Sequence, residues 1–508
     1  MKKLNYFIVV SNILLIICLL YFAITKDRMT LYFEIIFLLS YSNYLIIYIN
    51  NKSKNIFTDI RIYLLISYSI YALYTPIVYL IYNKTEYINL NNGLNTYNYN
   101  ILIKSLFICI LFFIAFSLPF IFFSKIINKN PYMKEWDNKI NTSYKKNSFG
   151  FNFWLISFLI SSIWYIYPYT KMGIKEALNY GRWERYVIFG EIRNEMGFKS
   201  KMINLFFSQY LMILSTFMMF REVYNKRCKH KQKYVFIILI IFEAMFLLFI
   251  DSRRRELMYI IIMCFSYFMY YSYNKIKKSD MRKYLVYLII IAIFFTAYQY
   301  YRNYFSLANK EGISYALEVK RNASLNYDKE QKLYANEFGM VYENILSSLE
   351  FTPKFYFGKT YLESILAPIP IIDKMFYYDG DKTMLLSRWQ SQIYPDIFLN
   401  GGGLGFFPAA EAYLNLGYAG CIIFGLILGI LFNYIYLKMY NTKNILYYCI
   451  LLPQGWNFSR ISFLGVTEEI FWYMFYVIFY NAILKIMKNN RKNYINRDEV
   501  NNLKTINY

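Results

Sequence analysis

Residues 401–420 read GGGLGFFPAAEAYLNLGYAG and lead straight into the apolar run CIIFGLILGILFNYIY. Glu411 is the one carboxylate in that setting, and a carboxylate held near a substrate hydroxyl can take its proton as a general base. Glycines such as Gly403 and Gly405 let backbone amides approach an anionic or sugar ligand closely, which would place Glu411 at the mouth of a cavity. The same position also has a simpler reading: an acid in the first turn of a helix is favoured by the helix dipole by about 0.3–1 kcal/mol. Glu468 and Glu469 share that reading.

Cations form a second set. The turn FIDSRRRELMY joins two apolar runs with almost no loop and fixes Arg253, Arg254 and Arg255 at its edge. A guanidinium fork grips phosphate or carboxylate bidentately, although long cationic side chains at helix ends also snorkel to lipid headgroups. Glu243 precedes this turn by about eight residues, roughly 12 Å along a helix. Inside an apolar run it should face a polar cavity, a cationic partner, or a hydrogen-bonding helix. Pro453, Gln454 and Gly455 interrupt a later apolar segment that also carries Arg460. Such a break marks either a helix that lines a cavity or a proline kink before a short turn.

Several chemistries are excluded. His230 is the only histidine and lies in a basic loop, away from the candidate residues, so a Ser-His-Asp hydrolase or a histidine metal site is not expected. GGGLGF lacks the GK[ST] of a phosphate-binding loop. Asp379-Gly380-Asp381 could hold a divalent cation but reads equally as a solvated turn, and no metal or cofactor is expected. The six cysteines, Cys18, Cys109, Cys228, Cys264, Cys421 and Cys449, show no metal or disulfide spacing.

The elements that must position these groups are membrane helices. Of the 508 residues 57% are hydrophobic, and they fall in blocks of the length that crosses a bilayer. The expected fold is an all-α polytopic membrane protein with about twelve spans, near 4–24, 30–50, 62–82, 101–124, 151–169, 202–221, 234–250, 257–273, 284–301, 411–437, 444–465 and 467–486. The first block resembles a signal peptide but lacks a small-residue cleavage site, so it reads as the first span. The net charge of +24 sits mostly as lysine in short loops, which points to topology and not to nucleic acid.

If the amino terminus is cytoplasmic, these basic loops share the inner side. The expected organisation is then a membrane domain 1–301 with an external loop 170–201, a large extracytoplasmic loop 302–410 between helices 9 and 10, a membrane domain 411–486, and a cytoplasmic basic tail 487–508. Eleven of the seventeen arginines fall outside or near the outer face, among them Arg182, Arg185, Arg302 and Arg388. That face looks built for an anion. Acidic neighbours such as Glu184, Glu191, Glu195 and Glu256 could instead pair with these arginines and order the loops.

Three stretches together resemble a known family. They are the glycine run followed by Glu411, Tyr413, Asn415 and Gly417, the segment GKTYLESILAPIP at 358–370, and the arginine turn DSRRRE. They resemble the Wzy-type O-antigen and capsule repeat-unit polymerases over residues 150–480, with Phe406-Phe407-Pro408 standing where a small polar residue is expected. The resemblance implies metal-independent, inverting glycosyl transfer at the outer face of the bacterial cytoplasmic membrane. A growing glycan on undecaprenyl pyrophosphate is passed to the next lipid-linked repeat unit. Partners would be these lipid-linked glycans, membrane lipids, and a chain-length regulator and flippase of the same pathway. Glu411 becomes the expected base. Arg182, Arg185, Arg253, Arg254, Arg255, Arg302, Arg388, Gly403, Gly405, Tyr413, Asn415 and Arg460 become the residues expected to hold substrate. The alternatives are a lipid-linked oligosaccharide flippase, a glycan ligase, and a transferase using polyprenyl-phosphate sugars.

Overall fold

A computed structural model describes residues 28–50, 59–82, 86–88, 96–122, 149–173, 206–207, 209–225, 228–250, 254–272, 337–351, 355–366, 385–394, 405–442, 445–461 and 463–505, with a few short pieces between them. The expected spans 4–24 and 284–301 lie outside the described residues, as do Asp379 and Asp381.

The described residues form thirteen α-helices and one two-stranded hairpin. They are α1 (Arg28–Asn50), α2 (Ile60–Tyr82), the hairpin β1 (Glu86–Ile88) and β2 (Thr96–Asn98), α3 (Tyr99–Phe122), α4 (Phe149–Met172), α5 (Gln209–Tyr224), α6 (His230–Met245) and α7 (Arg254–Ser272). After these come α8 (Glu337–Glu350), α9 (Lys359–Leu366), α10 (Leu385–Ile393), α11 (Pro408–Thr442), α12 (Ile445–Asn457) and α13 (Phe463–Thr505). The hairpin is antiparallel, with Tyr87 opposite Tyr97.

Among the described residues six helices, α1, α2, α3, α4, α11 and α13, contain stretches long and apolar enough to cross a membrane. The stretches near 202–221, 234–250, 257–273 and 444–465 appear as α5, α6, α7 and α12; α5 and α12, with 16 and 13 residues, are shorter than the spans expected there, whereas α7 has 19. In α6 the chain passes into a π-helical turn at Phe246–Ile250. In α12 the helix ends at Asn457, whose carbonyl then accepts from Arg460 and Ile461 across a turn. What reads as one apolar block at 444–465 is therefore a half-length helix and a turn.

The largest departure concerns α11. Leu416 (φ −146°, ψ 23°) and Gly417 (φ 61°, ψ −143°) leave helical geometry inside it. Residues eight apart in a straight helix are about 12 Å apart, yet a Cβ built on Gly420 would lie 2.1 Å from the Ala412 carbonyl oxygen. The Cys421 thiol lies 3.9 Å from the Ala409 carbonyl. The chain therefore doubles back: residues 408–415 form a short arm, and 418–442 run alongside it as the membrane helix. Buried protein surroundings are the setting in which such re-entrant backbone is tolerated, and nearly every residue of the short arm is buried.

The long arm packs most extensively on α3. Gly429 permits the close approach, since a Cβ there would lie 2.2 Å from the Phe116 carbonyl oxygen, and Gly425 sits one turn earlier on the same face. Phe458 stacks on Phe116 at 5.3 Å and closes the seam from the α12–α13 turn. At the start of α2, Asp59 grips Arg61 through two oxygens at 2.9 and 2.6 Å, and the guanidinium lies 3.8 Å above the Tyr436 ring. That bidentate, stacked geometry makes a buried ion pair tolerable.

Two helices from the stretch 302–410, α8 and α9, pack on the helices before and after it. α8 packs on α2, α3 and α11, with Phe338 against Tyr71 at 4.9 Å and Tyr342 hydrogen-bonded to Ser105 at 2.8 Å. α9 packs between α11 and α13.

Candidate functional site

The short arm of α11 starts where its residues dictate. Pro408 is suited to a first helical position, where its missing N–H costs nothing, and Ala409, Ala410 and Ala412 are strong helix formers. The arm ends at Leu416 because Gly417 adopts a positive φ that turns the chain back. Its last carbonyls are not left bare. Leu414 O accepts from Tyr356 N at 3.0 Å, Asn415 O accepts from Phe357 N at 2.9 Å, and Asn415 Oδ1 accepts from Gly358 N at 2.8 Å.

Glu411 and Asn415 are four residues apart and so share one face of this arm. Glu411 is fully buried. Its Oε1 accepts from Thr360 Oγ1 at 3.0 Å, and its Oε2 accepts from the backbone N–H of Phe463 at 3.0 Å. Phe463 is the first residue of α13, so the carboxylate also faces the positive end of that helix. Asn415 donates to Thr360 Oγ1 at 2.7 Å and to Glu411 O at 2.7 Å. The Thr360 hydroxyl thus receives one hydrogen bond and passes one on. Two of roughly four acceptor positions on the carboxylate are occupied by these two donors.

Tyr361 closes one side of this network. Its ring stacks on Phe424 at 4.2 Å and meets Phe463 at 5.7 Å. Burial, reinforced by the neighbouring Glu411, holds its phenol well above the usual range, so it remains a donor; its hydroxyl has no hydrogen-bond partner. On the next turn Glu363 is half-buried, and Oε2 accepts from Leu385 N at 3.1 Å, tying α9 to the first residue of α10. Burial raises the Glu363 pKa, opposed by the Leu385 bond and by Arg388. Arg388 itself has a buried Nε with no hydrogen-bond partner.

Gly405 plays a part different from the one expected. A Cβ there would lie 2.1 Å from the Arg460 carbonyl oxygen, and Phe406 N donates to that oxygen at 2.8 Å. The space a side chain would fill is taken by the α12–α13 turn and not by an open ligand cradle. The Gly405 carbonyl accepts from Asn344 Nδ2 at 2.7 Å, and Gln390 Nε2 donates to Asn344 Oδ1 at 2.7 Å. The segment before α11 is held by two helices, α8 and α10, and by the α12–α13 turn.

The other expected residues are distributed as follows. Tyr413 is half-buried and meets Tyr418 edge-on at 5.5 Å, away from the Glu411 network. Arg255 pairs with Glu256 at 3.1 Å and with Glu469 at 3.5 Å, so it follows the acid-pairing reading. Arg182, Arg185, Arg253, Arg302 and Gly403 lie outside the described residues, as does the side chain of Arg254. Glu243 is buried and accepts from Thr216 Oγ1 at 2.6 Å, the hydrogen-bonded helix contact that was one of its readings.

Sequence reasoning missed Thr360, Asn344, Gln390 and Glu34. Thr360 stood inside the quoted segment 358–370, but nothing local marks it as a partner of Glu411. Glu34 is a lone acid in an apolar run, the same signal that drew attention to Glu243; it is fully buried in α1 and neither carboxylate oxygen has a hydrogen-bond partner.

A family model described as O-antigen polysaccharide polymerase Wzy matches residues 6–491, nearly the whole chain. Neither a curated protein nor a solved structure matches.

Proposed function

Since this chain belongs to the Wzy family of O-antigen polysaccharide polymerases, and is thereby a multi-pass membrane protein with six span-capable helices among its described residues, we propose that it joins undecaprenyl-pyrophosphate-linked repeat units at the outer face of the bacterial cytoplasmic membrane. The observation that carries this reading is the junction of two stretches that resemble the family: Thr360 of the 358–370 segment is hydrogen-bonded to both Glu411 and Asn415.

In the proposed reaction the acceptor sugar's hydroxyl gives its proton to the Glu411 carboxylate. Its oxygen then bonds to the anomeric carbon of the donor glycan from the side opposite the leaving group. The bond from that carbon to the pyrophosphate oxygen breaks, and the electron pair leaves with undecaprenyl pyrophosphate. Inversion at the anomeric carbon follows from this single displacement. Thr360 and the Phe463 amide fix the carboxylate, in keeping with the need for a base held at hydrogen-bond reach. Arginines supply the charge that the departing pyrophosphate needs. Arg388 and Arg460 are described candidates; Arg182, Arg185, Arg253, Arg254 and Arg302 are the others, and Arg255 contributes less because two acids already hold it.

The test is reconstitution of the purified chain in liposomes with lipid-linked repeat units and no added nucleotide. A ladder of lengthening lipid-linked chains is the expected product. Transfer of single units to another acceptor would identify a ligase, and movement of units across the bilayer without elongation would identify a flippase.

A further inference from the structure

Phe424 lies about 9 Å along the long arm of α11 from Tyr418, and α9 rests against its ring. Tyr361 stacks on it at 4.2 Å, and a Cβ at Gly358 would lie 3.5 Å from it. Phe424 belongs to the stretch Pro408–Leu437, which is long and apolar enough to cross a membrane. It also borders Ile423, Ile427 and Ile430, three exposed residues at the spacing of one helix face. On a membrane-spanning helix such a stripe meets hydrocarbon. α9 is thus packed beside a lipid-facing surface, set back from the hairpin tip at Leu416 and Gly417.

The two sides of α9 differ. On the inner side Thr360 bonds to Glu411, Glu363 accepts from Leu385 N, and Ser364 O accepts from Thr467 Oγ1 at 2.5 Å. Its first amides are paired within the chain as well: Lys359 N donates to Tyr356 O and Leu362 N donates to Gly358 O, each at 3.1 Å. On the outer side Lys359, Leu362 and Ile365 follow one another at intervals of three and are all exposed. Leu362 and Ile365 are 50% and 56% exposed, as open to the surroundings as Ile427 on the stripe at 52%.

Polar groups bonded inside the protein are what hydrocarbon requires of a segment that enters it. A lysine at one end of an apolar helix face can reach headgroup phosphate while its stem lies along acyl chains. Aromatic residues gather at the boundary between bilayer and water, and here Phe355, Phe357 and Tyr418 are exposed near the hairpin tip, with Phe355 edge-on to Tyr413 at 6.3 Å.

We propose that α9 is seated in one leaflet of the bilayer, with Leu362 and Ile365 among the acyl chains, Lys359 at the headgroups and Phe357 at the water boundary. Continuity with the isoleucine stripe of α11 selects bilayer lipid over a second copy of the chain or another protein. The seating holds whether or not the chain elongates glycan. Where it does, Thr360 and Glu411 stand at headgroup depth, the level of a lipid-linked pyrophosphate.

The test places p-benzoylphenylalanine at Leu362, Ile365 or Ile427 of the full chain, in liposomes of phosphatidylethanolamine and phosphatidylglycerol with a minor share of undecaprenyl phosphate. Photolysis should raise the mass of the chain by one phospholipid at Leu362 and Ile365, as at the reference Ile427. Adducts at Ile427 alone overturn the seating and leave α9 in water. Polyprenyl adducts in preference to phospholipid, or a cross-linked dimer, overturn bilayer lipid as the occupant. Hydroxyl-radical labelling of the unaltered chain in the same liposomes gives a reading free of substitutions. Phe357 should be oxidised and Leu362 and Ile365 spared, and similar oxidation of all three overturns the proposal.

Discussion

Thr360 and Glu411 are 51 residues apart in sequence, and the hydroxyl of one donates to the carboxylate of the other at 3.0 Å. The same hydroxyl accepts from Asn415 at 2.7 Å, so a single oxygen atom joins α9 to both polar residues of the re-entrant arm.

Replacing Thr360 by Val removes that oxygen without changing the shape of the side chain. Glu411 Oε1 and one Asn415 N–H then lose their partner, and each buried group left unpaired costs about 1–3 kcal/mol. Thr360→Val should unfold at lower temperature and make little polymer, whereas Thr360→Ser should stay close to the unaltered chain in both. Equal behaviour of the Val and Ser variants would show that the methyl packing matters and the hydroxyl does not.

Glu411→Gln keeps the size of the side chain but cannot accept a proton at neutral pH. It also turns an N–H toward either Thr360 or Phe463, which are both donors to the carboxylate now. Chain growth in the liposome assay should stop, and the melting temperature should fall modestly. Normal ladders from this variant would remove Glu411 from the reaction.

Arg388→Lys retains the charge and loses the fork. Hydrogen bonds to charged groups are worth about 1.5–3 kcal/mol, so elongation should slow roughly 10- to 100-fold while the yield of folded protein is unchanged. Full activity in the lysine variant would mean that a point charge is sufficient there.

Gly417→Ala tests the fold-back of α11. A side chain at φ 61°, ψ −143° is strained by about 1–3 kcal/mol, and the new Cβ would also press on the Phe355 ring at 3.2 Å. The variant should be markedly less stable in a thermal unfolding assay. An unchanged melting temperature would argue that 408–442 is one straight helix in the membrane.

Sidedness can be read with single cysteines in a background lacking the six native ones. Phe357→Cys, at an exposed position, should react with an impermeant maleimide in intact spheroplasts, and Lys229→Cys, also exposed, should react once the membrane is opened. The opposite pattern would invert the proposed topology.

The apolar blocks at 30–50, 62–82, 101–124 and 151–169 were legible because hydropathy and length alone decide them, and α1 to α4 fall there. The Glu411–Asn415 pairing on one helix face was legible for the same local reason, a spacing of four. The fold-back was not, because Ala409, Ala410 and Ala412 read as the continuation of an apolar helix and one glycine carries the reversal. The glycine run suggested a ligand cradle, yet at Gly405 the close approach is made by the Arg460 carbonyl. Distant partners such as Asn344 and Gln390 left no signal, since nothing in a linear pattern says which loop helix returns to which carbonyl.

The bond from Phe463 to Glu411 also bears on how the chain assembles. The carboxylate emerges from the ribosome 52 residues before the amide that it needs, a delay of roughly 3–10 s at about 5–20 residues per second. Until then the short arm has an acid with half of its contacts missing, which opposes entry into the hydrocarbon. Its docking is therefore a late event that follows synthesis of α13, and nascent chains halted before residue 463 should leave the arm open to protease.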